Sequence, residues 1–124
     1  MIYTTYFAKL KKLPENIIPI AICAKPPAGY AGPIYRPLAP KYDFFVKYKL
    51  SGNKEEFTEN YVGQILSQLN PVSVVTNLYY QACLAPNTSD IALVCFEKSS
   101  DFCHRHLVAE WLRKAGYECR EWEA

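Results

Sequence analysis

Residues 91–116 read IALVCFEKSSDFCHRHLVAEWLRKAG, and this stretch decides the fold. Ile91–Glu97 is a nearly continuous apolar run closed by a carboxylate, the pattern of a strand buried on both faces of a parallel sheet. Lys98–Asp101 is a short polar loop. Phe102–Ala115 then places Leu107, Val108, Trp111, Leu112 and Ala115 on one helical face, and Gly116 is positioned to end the helix. A buried strand that delivers the chain through a short loop into a helix is half of a βαβ unit.

Moving outward, Tyr117–Trp122 reads as a last short strand. Upstream, Pro86–Asp90 is a turn, and Val72–Leu84 is a helix whose β-branched Val72, Val74, Val75 and Thr76 would also suit a strand. Asn70-Pro71 supplies an N-cap followed by proline at the first helical position. Before it, Phe57, Tyr61, Val62, Ile65, Leu66 and Leu69 follow helical spacing, opened by a capping-box pattern at Asn53 and Glu56. Tyr42–Leu50 reads as a short strand at a sheet edge. Lys25–Lys41, KPPAGYAGPIYRPLAPK, has no periodicity and is a long loop of the kind that is often functional. Ile17–Ala24 is a second buried strand and Ile2–Ala8 a first one, joined by the polar connection Lys9–Asn16. The expected architecture is α/β: one small domain, residues 1–124, with a mostly parallel sheet covered by helices.

Composition sets the class. Of 124 residues, 50% are hydrophobic and 21% charged, which is globular rather than disordered. Met1–Leu10 shows no signal-peptide pattern, and no apolar run approaches the roughly 20 residues of a membrane span. A cytoplasmic location without membrane attachment is the expectation. The five cysteines are odd in number and form no CxxC pair, so they read as reduced thiols, most of them small buried hydrophobes. Net charge is +2 but uneven: residues 1–42 sum to +5, leaving −3 for the rest. A basic first third can attract an anionic partner, although six cations spread over that length make no dense patch.

The chemistry-bearing segment is Cys95–His106. Strand ends in parallel sheets meet helix N-termini, where exposed N–H groups favour anions. Cys103 falls in the first helical turn, a place that stabilises a thiolate, and is a candidate nucleophile; the plainer reading is a cysteine tucked under Leu107. His104 is a candidate acid, base or ligand, and Glu97, at the strand end, a candidate general base or a solvated carboxylate. Arg105 can grip a phosphate or carboxylate with two parallel hydrogen bonds, or else form a surface ion pair with Glu110 or Asp101. In the proline-rich loop, Tyr30, Tyr35 and Arg36 are further candidate ligand contacts. Cys95, Cys103 and His104 can also be read as a mixed Cys/His metal site, but no standard finger spacing is present, and no metal is assigned.

The stretch Ala92–Leu112, ALVCFEKSSDFCHRHLVAEWL, resembles the signature of the domain of unknown function 488 family. That signature is an apolar strand, Cys-x-Glu, a short gap, then Cys-His-Arg opening a helix. It falls here on Cys95, Glu97, Cys103, His104 and Arg105. Tyr35–Pro40 and Phe57–Tyr61 are also similar, and the N-terminal region is abbreviated compared with many members. The resemblance implies an α/β fold and leaves the activity open.

Two functions fit. One is an enzyme acting on a phosphate-bearing ligand, a nucleotide or nucleic acid, with Arg105 holding the anion and Cys103, His104 and Glu97 doing chemistry. The other is a non-catalytic binding or regulatory protein using the same pocket. P-loop, GxGxxG and GxSxG signatures are missing. The sequence names no cofactor and no protein partner.

Overall fold

The strands β1 (Ile2–Tyr6), β2 (Ile17–Ala21), β3 (Asp90–Cys95) and β4 (Cys119–Glu121) form a parallel sheet in the order β2-β3-β1-β4. The structure is a computed structural model and describes residues 1–83 and 90–123. Among the described residues four α-helices accompany the strands: α1 (Tyr42–Ser51), α2 (Lys54–Gln64), α3 (Pro71–Gln81) and α4 (His104–Lys114). The α/β architecture expected from the sequence is what the chain adopts. Of the turn expected at Pro86–Asp90, residues 86–89 lie outside the described residues, and Asp90 opens β3.

The register assigns each strand residue to a face. Ile2, Ile18 and Ile91 align, as do Thr4, Ile20 and Leu93. That face joins Val74, Leu78, Val108, Leu112 and Tyr61 from the helices in the main core. The opposite face holds a smaller cluster of Ile17, Ala92 and Trp122, with Tyr3 and Leu13 against it. β3, the central strand, is buried from Ile91 to Cys95, as its unbroken apolar pattern requires.

Helix ends follow the sequence signals. Asn53 accepts a hydrogen bond from the Glu56 amide at 3.0 Å, and Asn70 one from the Ser73 amide at 3.1 Å. Gly116, with φ 96°, follows α4, and Gly52, with φ 69°, caps α1 in the left-handed conformation that glycine adopts without penalty. α3 stays helical despite its β-branched residues because Val74, Val75, Leu78 and Tyr79 bury one face.

Two elements depart from expectation. Tyr42–Leu50, expected as an edge strand, lies within the helix α1. Its aromatics suit a strand by propensity, but tertiary packing overrides this. Phe44 and Tyr48, one turn apart, both meet the ring of Phe57, at 5.4 and 5.2 Å between centroids. α4 is also rotated from the expected face: it buries His104, Arg105, Val108, Ala109 and Leu112, while Ala115 is exposed.

The long loop straps the outer edge of β2. Pro19 has no N–H to offer there, and its carbonyl meets the Tyr30 hydroxyl at 3.3 Å. The Ala21 amide reaches both the Pro33 carbonyl (3.0 Å) and the Tyr30 oxygen (3.1 Å), and the Ala21 carbonyl accepts from the Tyr35 amide at 2.8 Å.

Candidate functional site

At the carboxyl ends of β2 and β3 lies a cavity of about 480 Å³. Crevices open at this end of a parallel sheet because the strands stop there while the helices begin. The end of β2 contributes Cys23 and Lys25; the end of β3 contributes Cys95, Phe96 and Glu97; the start of α4 contributes Phe102, Cys103 and His104. The far wall is aromatic, built by Tyr42, Phe45 and Tyr48 of α1 with Phe57 of α2. Tyr48, Phe57 and Phe102 pack ring against ring, at 5.2 to 5.6 Å between centroids. Lys49 lies 3.5 Å from the Glu97 carboxylate, and Lys25 is exposed.

Cys103 is the N-cap of α4 rather than a first-turn residue. It is buried and joined to Cys95 in a disulfide. This corrects the expectation of five reduced thiols: the end of β3 and the cap of α4 converge on one wall, although eight residues separate the two cysteines in sequence. Cys23, Cys83 and Cys119 are free, and burial pushes the Cys23 thiol up and the Cys119 thiol to about 11.

His104 is locked in one tautomer. Its Nε2 donates to the Ile22 carbonyl at 2.8 Å, so Nδ1 carries the lone pair and faces the Cys103 sulfur at 3.9 Å. Burial holds its pKa down at about 4, so the ring is neutral at neutral pH. Burial also lowers the pKa of His106.

Arg105 is fully buried and committed to the protein itself. Its Nε and one terminal nitrogen grip the two oxygens of Glu121 at 3.1 and 2.8 Å. The other terminal nitrogen donates to the Glu97 carbonyl at 2.5 Å and to the Cys95 sulfur at 3.2 Å. Burial raises the Glu121 pKa, but hydrogen bonds from Arg105 and Thr4 outweigh that and hold its carboxyl below the usual range.

Of the residues singled out from the sequence, Glu97, Cys103 and His104 share the cavity wall. Arg105 sits behind that wall, and its fork holds Glu121 instead of a ligand. Tyr35 is a core residue, and neither it nor the exposed Arg36 lines the cavity. Sequence reasoning missed Lys25, Lys49 and the aromatic wall. A helical reading of Tyr42–Leu50 would have found that wall, by setting Phe45, Tyr48 and Lys49 within one turn of each other.

Cys95, Cys103 and His104 bring their sulfur and nitrogen atoms within 4.8 Å of one another. Once reduced, such a trio has the donors for a soft cation. The Arg105 guanidinium on the Cys95 sulfur opposes this, because it puts a fixed positive charge beside the place a cation would take.

A family model described as the active DUF488-N3 subclade, DUF488-N3a, matches residues 3–116. The match takes in β1 from Tyr3, β2, β3, α1 to α4 and the Cys-x-Glu and Cys-His-Arg segments; β4, with Glu121, follows it. No curated protein and no solved structure matches the chain.

Proposed function

The chain belongs to the DUF488 family, and from that premise we propose that its cavity is an enzyme site for a small ring-bearing anion, a mononucleotide by chemistry. The observation that carries the reading is the lining: aromatic rings on one wall, Glu97, Cys103 and His104 on the other, and two lysines beside them. Aromatic faces stack a planar base, worth roughly 1–3 kcal/mol each in nucleic-acid sites. Lys25 and Lys49 supply the phosphate attraction first expected of Arg105. Glu97 is the group for proton transfer, and neutral His104 offers Nδ1 as a base toward Cys103. The description of the matched subclade as active supports a catalytic role.

A mononucleotide is favoured over a nucleic-acid strand. About 480 Å³ is the size of a small-molecule site, and a net charge of +2 gives little attraction for a polyanion. Among the described residues no helix is long and apolar enough to cross a membrane. We place the protein in the cytoplasm, a reading that the three free cysteines support. The bond between Cys95 and Cys103 favours the second reading, a binding protein, for as long as it holds, because it denies the site its thiol nucleophile.

Thermal shift with nucleosides and their 5′-monophosphates tests the proposal. The monophosphates should raise Tm more than the matching nucleosides, and the gap should shrink with salt, since exposed charges are screened over about 8–10 Å. Lys49→Ala should narrow the same gap. Equal shifts from nucleoside and nucleotide, or none from either, would remove the anion from the reading. Where a nucleotide binds, Glu97→Gln separates the two functions: an enzyme keeps its ligand and loses turnover.

A further inference from the structure

We propose that Cys95 and Cys103 form a thiol–disulfide exchange centre that is opened by a low-molecular-weight thiol entering the cavity, with Cys103 attacked and Cys95 leaving. The disulfide stands in a wall of the cavity, and both sulfurs belong to lining residues. The two ends of the bond differ in what surrounds them. Arg105 donates to the Cys95 sulfur at 3.2 Å, from a side chain with no exposure to water. With the guanidinium paired to Glu121, what Cys95 keeps is this donated hydrogen bond, which stabilises a thiolate there, and the sulfur whose thiolate is better stabilised leaves faster. Cys103 faces no such cation: it caps α4, but its sulfur takes no hydrogen bond from the helix amides, and its neighbour is the unprotonated Nδ1 of His104.

A thiolate RS⁻ attacks the Cys103 sulfur, an R–S–S–Cys103 bond forms, the Cys95–Cys103 bond breaks, and its electron pair leaves on Cys95. A second thiolate attacks the R sulfur of the mixed disulfide, forming RSSR and releasing Cys103 as a thiolate, which takes a proton from water. Two small thiols are oxidised and one protein disulfide is reduced. In the reduced state His104 Nδ1 accepts the Cys103 S–H, and the Ile22 carbonyl keeps the other ring nitrogen protonated.

A structural staple is the competing account. Three free cysteines in the same chain argue against a disulfide scaffold, and in the cytoplasm, the compartment proposed above, disulfides are usually transient and catalytic or redox-sensing. The bond also spans only eight residues, between elements that already adjoin through the Arg105 contact to Glu97. The inference holds whatever ligand the cavity takes, so its failure and that of the nucleotide reading are separate results.

The test uses the full oxidised chain with reduced glutathione, quenched in acid and mapped by mass spectrometry. The glutathione adduct should appear on Cys103, roughly tenfold over Cys95, as expected when one sulfur is the better leaving group. In Cys95→Ser, held reduced and then given oxidised glutathione, the adduct at Cys103 should persist, because no partner thiol resolves it. An adduct mainly on Cys95 in the wild-type chain overturns the assignment. So does a Cys95–Cys103 bond that yields to glutathione only after the chain is unfolded in guanidinium.

Discussion

Glu121→Ala removes both acceptors of the Arg105 fork while leaving the guanidinium buried. Arg105 has no exposure, and the Glu121 side chain is 18% exposed. Two charge-assisted hydrogen bonds, at 3.1 and 2.8 Å, disappear, and the Thr4 hydroxyl, only 2.6 Å from the carboxylate, loses its acceptor too. Breaking one side of a buried pair costs about 3–5 kcal/mol because the surviving charge is uncompensated. The partial exposure of Glu121 lets water reach the gap, which sets the expectation at the lower end, about 3 kcal/mol. For a domain of this size roughly 1 kcal/mol moves Tm by about 4 °C, so the melt should fall by about 12 °C. Urea unfolding of wild type, Glu121→Ala, Arg105→Met and the double variant Arg105→Met/Glu121→Leu measures it. The double variant should lose less than the sum of the single ones, since it buries no unpaired charge. A loss below about 1 kcal/mol for Glu121→Ala, or strict additivity, would refute the assignment of Arg105 to an internal pair.

The buried His104 makes stability depend on pH. Its folded pKa, about 4, lies below the ordinary 6.5, so the unfolded chain binds the proton first and stability is lost as pH falls from about 6.5 toward 4. The full drop is worth on the order of 3 kcal/mol, and His106, shifted the same way, adds to it. Urea midpoints across that range should fall with acid; a flat profile down to pH about 5 would place a charged imidazole in the core. Asn70→Ala, which removes the cap on the Ser73 amide, should cost about 1 kcal/mol by urea unfolding, and no measurable loss would mean that water replaces the cap.

The sequence made the strand–loop–helix unit legible because each part carries its own local signal: an unbroken apolar run, a polar loop, a helical stripe and a closing glycine. Asn70-Pro71 was equally legible, since capping is decided within four residues. α1 was not. Its aromatics fit a strand by propensity, and only contact with Phe57, on the next helix, makes the helical spacing of Phe44 and Tyr48 count. The capping box at Asn53 was half right: Asn53 takes the Glu56 amide, but the Glu56 carboxylate pairs with Lys47 of α1 at 3.2 Å. Glu97, Cys103 and His104 fall on one cavity wall, a grouping legible because they are close in sequence. Arg105 was found and given the wrong partner, because Glu121 comes into reach only when β4 pairs with β1. The disulfide escaped for a similar reason: odd cysteine counts inform on compartment, not on which two sulfurs a strand end and a helix cap bring together.

The strap over β2 bears on how this molecule behaves in a crowd. A parallel sheet with an open margin is a template on which any extended peptide can lengthen the ladder. At Pro19 there is no donor to extend from, and at Ala21 both the donor and the acceptor are already taken by the chain's own loop. A foreign strand arriving at Ala21 would have to displace Tyr30, Pro33 and Tyr35 before it could bond there. The proline-rich segment is therefore a selvedge as well as a neighbour of the cavity: at Ala21 it finishes the sheet, so that a crowded copy meets that stretch of β2 already sewn down.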